Sequence, residues 1–200
     1  MPGEGGAKSI SNPSGAYGYA SEAVSQRISD ELAAGFSTLP RWLADNSAVA
    51  VGTSTCRWSY FTAPYSLLST TVRSATGTSA TGTPTLVRVG LYLVDALGNL
   101  TLVASTANDT ALWASANTAY TKSWSNPYQL QSGQRYAVTG IVVGASPCTL
   151  LGRQPGSALA AEFALPPVLA SSLSGQSDLL ATVAVGSLTN IGGYAYFAFV

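Results

Sequence analysis

The 200-residue sequence contains no histidine. That removes the usual general base, the commonest metal ligand and the side chain that titrates near neutrality. Nucleophilic hydrolysis of the Ser-His-acid kind is excluded with it. Charge is scarce: 9% of residues are Asp, Glu, Lys or Arg, against about 25% in an ordinary domain. Nine basic and nine acidic residues cancel. No Lys/Arg cluster exists, so phosphate-driven binding of nucleic acid is not expected. Two cysteines, Cys56 and Cys148, are too few for a zinc site of their own. No stretch of about 20 apolar residues is present, and no apolar signal run follows the initial Met. The expectation is therefore neither a membrane span nor secretion by that route. No cofactor or metal is expected.

What is present is apolar residues, at 46%, enough for a sizeable core in one domain, or one domain with an arm. Surface polarity must then come from Ser, Thr, Asn, Gln and Gly. Such a surface repels its neighbours weakly, which suits a protein packed into an assembly. An ordinary sheet protein rich in Ser and Thr has the same composition.

The clearest stretch runs from Leu86 to Ala104 and reads as a β-hairpin. Val87, Val89, Leu91 and Leu93 alternate with Arg88, Gly90, Tyr92 and Val94, the two-residue period of a strand. Asp95 to Asn99 forms the turn. Gly98 takes a positive φ cheaply, and Asp95 can bond its own backbone.

Before it, Met1 to Tyr19 is a Gly/Pro-rich arm that cannot bury enough apolar surface to order itself. It is either disordered or ordered by a partner, with Tyr17 and Tyr19 as anchors. Ser21 to Phe36 is the one good helix candidate, with Val24, Ile28, Leu32 and Phe36 on one stripe. That stripe packs on its own domain or meets two further copies. Pro40 ends any helix, and Trp42 plugs the junction. From Ala48 onward short strands are expected at 48–52, 55–62 and 67–74. In the second of these, Cys56, Trp58 and Tyr60 share one face. Asp109 to Trp113 is expected to form one helical turn, capped by Asp109 or Asn108. A strand at 119–124 ends at an Asn126-Pro127 turn, and a strong apolar strand follows Gly133. After Gly152 the pattern weakens. A last apolar strand, 192–200, is expected to be paired in the sheet or at a subunit contact, since a free edge of that kind would aggregate. Many short strands at even spacing give a mainly β protein: an antiparallel, jelly-roll-like β-sandwich behind an N-terminal arm and one short α-helix. The expected division is 1–46 for arm and helix and 47–200 for the sandwich.

Candidate contact residues are Trp113, Asn117, Tyr120 and Trp124. They sit near loops, where aromatic rings stack on sugars and an amide bonds hydroxyls. Packing in the core is the alternative. Paired carboxylates for sugar cleavage would have to come from Asp45, Asp95, Asp109, Glu162 and Asp178. Asp95 and Asp109 are better explained as turn and cap residues. Cys56 and Cys148 are either a disulfide closing a long loop or two unrelated buried thiols.

From about Leu39 to the C-terminus the chain resembles a family of structural proteins of actinobacterial tailed bacteriophages, described as minor tail or virion proteins. The resemblance rests on Pro40-Arg-Trp42, Arg57-Trp-Ser-Tyr-Phe-Thr-Ala63 and Thr83-Pro-Thr-Leu-Val-Arg-Val-Gly-Leu-Tyr92. It continues through Gly98-Asn-Leu-Thr-Leu-Val-Ala-Ser-Thr106, Asn108-Asp-Thr-Ala-Leu-Trp113, Asn117-Thr-Ala-Tyr-Thr-Lys122 and Gly133-Gln-Arg-Tyr-Ala-Val138. It implies a non-enzymatic virion protein on the phage particle surface, assembled in the host cytoplasm. In that reading the protein is a homotrimer bound to other virion proteins through its arm. It is tail-associated, with the sandwich outward toward a host-surface glycan. A capsid decoration protein, or a carbohydrate-binding module or depolymerase, is the alternative.

Overall fold

A computed structural model describes residues 35–40, 44–154 and 168–200. Its strands are all paired antiparallel in three sheets. The largest is built on β3 (Thr55–Thr62), β5 (Gly82–Val94), β6 (Leu100–Ser105) and β8 (Arg135–Ser146). It also holds β10 (Ala170–Ser174), β11 (Thr182–Val183) and β12 (Thr189–Asn190), in the order β11-β6-β5-β8-β3-β10-β12. A four-stranded sheet joins β1 (Phe36–Ser37), β14 (Phe197–Phe199), β4 (Leu67–Ala75) and β7 (Ala119–Leu130), in that order. A three-stranded sheet joins β13 (Tyr194–Ala195), β9 (Cys148–Arg153) and β2 (Asp45–Val51). The two smaller sheets pack together against one face of the large one. The result is a curled β-sandwich.

The hairpin of β5 and β6 forms as its periodicity requires. Val87, Val89 and Leu91 are buried on the face toward the smaller sheets. Gly98 sits at φ +89° in the turn. Asp95 Oδ1 accepts from the amides of Leu97 and Asn99, both at 2.8 Å. The main core lies between the layers, with Val72, Val138, Val142 and Leu150 around an aromatic chain. In that chain Phe61 stacks on Tyr136 at 5.8 Å and packs tilted against Phe199 at 4.7 Å.

The other face of the large sheet is buried as well. Cys56, Trp58, Tyr60, Tyr92, Ala137 and Ile141 make a second core there. Residues from 168 to 188 cover it through Leu173, Leu179, Leu180 and Val183. Polar ties hold this cover down. Arg88 bonds Asp178 at 2.9 Å, the Tyr92 hydroxyl donates to the Leu180 carbonyl at 2.9 Å, and the Tyr60 and Ser171 hydroxyls are 2.8 Å apart. A strand buried on both faces reads as a near-continuous apolar run, and β8 does so from Tyr136 to Val142, broken only by the buried Thr139.

Several expectations change. Phe36 does not close a helical stripe. It begins β1, pairs with Phe199, and packs on Phe61 and Tyr65 in the main core. Pairing in the sheet buries its ring against Phe61, Tyr65 and Phe199. The sandwich therefore takes in residues ahead of the expected boundary at 46/47. Tyr17, Tyr19, Val24, Ile28 and Leu32, with Trp42 and Glu162, lie outside the described residues. Asn126-Pro127 is no turn; β7 runs through it. Among the described strands β7 is an edge, and an edge strand tolerates a residue with no amide to donate. The C-terminal strand is paired, as expected, but it is split. Ala195 belongs to the three-stranded sheet and Phe197 to the four-stranded one. The chain steps between them at Tyr196, whose amide bonds the Leu151 carbonyl at 2.8 Å.

Candidate functional site

The open side of the sandwich is where β7 faces the chain leaving β6. The sequence builds that wall from side chains that imitate a strand. The Thr106 amide bonds the Val89 carbonyl at 2.9 Å, and the Val89 amide returns to Thr106 Oγ1 at 3.0 Å. Two residues on, the Val87 amide donates to Asn108 Oδ1 at 2.9 Å, and the Asp109 amide bonds the Val87 carbonyl at 3.0 Å. Thr106 and Asn108 thus stand in for backbone acceptors beside β5. Asp109 then caps the next turn, accepting from the Ala111 amide at 2.9 Å.

Opposite stands β7. Lys122 lies across the ladder from Val72, which is buried in the core. Its side chain therefore leaves on the inner face and reaches across to Asp109, with which it forms an ion pair. The hydrogen bond from Lys122 is the first cause holding the Asp109 carboxyl below the usual carboxylate range; the Ala111 amide adds to it. Between the two walls is a cleft of about 470 Å³, lined by Thr106, Asn108, Asp109, Thr121, Lys122 and Ser123. Ligand pockets commonly measure about 300–1,000 Å³. The lining is polar or small throughout, with no aromatic ring.

The residues expected to touch a ligand divide. Trp113 and Trp124 are core residues. Trp113 donates through Nε1 to Ser74 Oγ and Trp124 to Ser69 Oγ, each at 2.9 Å. Both serines belong to β4 and are buried. An indole that is fully packed, with its one polar atom satisfied inside, offers no stacking face. Neither Trp113 nor Trp124 is placed to contact a ligand. Tyr120 is half-buried, and its hydroxyl accepts from the Ser115 amide at 2.7 Å. Asn117 is exposed at φ +50°, where its role is to turn the chain. The four do not form one site.

Cys56 and Cys148 are both free. They sit in different cores, Cys56 under the cover and Cys148 between the layers. The possible disulfide is absent for that reason. Burial pushes each thiol up to about 12. Among the described residues no group of three His, Cys, Asp or Glu side chains could hold a metal ion. Among them, too, no helix is long and apolar enough to cross a membrane.

Lys122 was the residue that sequence reasoning missed. It is the one charged residue between Ala119 and Leu130. An isolated cation in a strand of Ser, Thr and aromatics was the available signal.

Fold and site define the chain as an antiparallel β-sandwich with a polar cleft at its open edge. No protein-family model matches it, and a comparison with curated proteins finds no match.

Proposed function

We propose that the protein is a non-enzymatic structural protein of a bacteriophage particle, tail-associated, with its sandwich outward and its N-terminal arm docked on the particle. One observation supports this most. The residues that carry the resemblance fall on a single framework: Trp58 and Tyr60 in β3, Val87 to Leu91 in β5, Leu100 in β6, Trp113 in the turn, Tyr136 and Val138 in β8. All of these but Arg88 are buried in the two cores or packed in the sheet between them. These side chains fix the sandwich. Its low charge suits a protein surrounded by other subunits. In this reading it acts by contact with other virion proteins, with two further copies of itself, and with a glycan on the host surface.

Counting copies per particle by quantitative mass spectrometry of purified phage tests the placement. A handful per particle is the result expected of a tail protein. Hundreds would move it to the capsid surface as a decoration protein, and none would overturn the virion reading. The polar cleft favours glycan contact as a second reading, by a carbohydrate-binding module of cell or phage origin.

A further inference from the structure

The geometry points to the cleft between Thr106–Asp109 and β7 as a binding site for a neutral, polyhydroxylated ligand: one or two units of a saccharide. Each wall narrows the class. Asp109 and Lys122 neutralise one another inside the cleft, so neither an isolated anion nor an isolated cation gains a free counter-charge. No aromatic or large aliphatic side chain lines it, so an apolar ligand gains nothing by entering. What remains are acceptors and donors side by side. The Asp109 carboxylate, the Lys122 ammonium and the outward backbone groups of an edge strand supply both kinds. A sugar's adjacent hydroxyls each donate and accept, and they match that alternation. Asn108 and Thr106 are fixed by their bonds to β5, so the wall is preorganised and little ordering is lost on binding.

A peptide adding as a strand to β7 is the rival occupant, and β7 is built against it. Lys122 points inward from the edge, Pro127 removes a donor, and the ladder with β4 is irregular between Ser69 and Thr71. Each device is a known guard against edge pairing. The cleft also spans only Thr121 to Ser123 of this strand.

The inference deepens the host-contact reading and rests on it only for biological meaning. Purified protein tests the cleft, while copy counting tests the particle, so either can fail alone. The experiment is an amide chemical-shift titration of the full chain with neutral hexoses, pentoses and N-acetylhexosamines at high millimolar concentration. Inorganic phosphate and a short β-strand peptide serve as comparisons. At least one sugar should shift the amides of 106–109 and 121–123. Asp109→Asn or Lys122→Met should weaken it by about tenfold, equivalent to about 1.4 kcal/mol. Should those variants unfold, Ala107→Trp, at an exposed position that lines the cleft and leaves the ion pair whole, should block the shifts. The proposal is overturned if no sugar shifts these amides, if the shifts survive Ala107→Trp, or if they belong to phosphate. Shifts along all of β7 with the peptide alone overturn it equally.

Discussion

Gly140 lies in the middle of the large sheet, between Arg57 and Val89 in the ladders. A Cβ there would stand 2.2 Å from the Trp113 ring. The ring cannot withdraw, because its Nε1 is held by Ser74 and Trp113 itself occupies the left-handed region at φ +65°. Gly140→Ala should therefore cost about 1–3 kcal/mol of overpacking, read as a lower urea midpoint. Adding Trp113→Leu should make the pair less destabilised than the sum of the single changes. The two thiols give a second residue-scale prediction. Each is raised to about 12 in the folded chain, against about 8.5 when unfolded. The folded state favours the neutral thiol, so its contribution is whole below about pH 8.5 and is lost as pH rises from there toward 12. Burial raises Tyr92 and Tyr194 in the same direction. Thermal melts should thus be steady from neutral pH up to that range and fall steadily above it. A thiol reagent should find no reactive group in the native protein at neutral pH and two after denaturation.

At the scale of elements, β1 is only two residues long, yet it carries Phe36 into an aromatic group with Phe61, Tyr65 and Phe199. Phe36→Ala should cost about 3–5 kcal/mol, as deletion of a packed ring does. A surface-helix residue would lose far less, so the urea midpoint of this variant separates the two placements. Phe36 also shows where sequence reading stops. Its four-residue spacing from Leu32 fits a helix, and only the pairing with Phe199, far along the chain, selects a strand. The hairpin of β5 and β6 and the whole of β3 were legible because one period runs through each without interruption. The cover of the second core was not. Leu173, Leu179, Leu180 and Val183 follow no period, because that segment is held by scattered contacts and by Arg88, Tyr60 and Tyr92. The cleft was half legible. Asp109 was visible as a cap, but its partner Lys122 depends on which face of β7 meets the core, and that in turn depends on its register with β4.

For the whole molecule, the C-terminal strand β14 sits between β1 and β4, so the last residues complete a sheet begun near the first described ones. Non-local pairing of this kind slows folding. A large sheet covered on both faces, with few charges outside, suits a protein that holds a position and presents an edge. The most direct test of that account is immunogold labelling of intact phage particles with an antibody raised against the sandwich. Label at the tail, with particle adsorption to host cells reduced by the same antibody, is the predicted result. Particles that carry no label would contradict it.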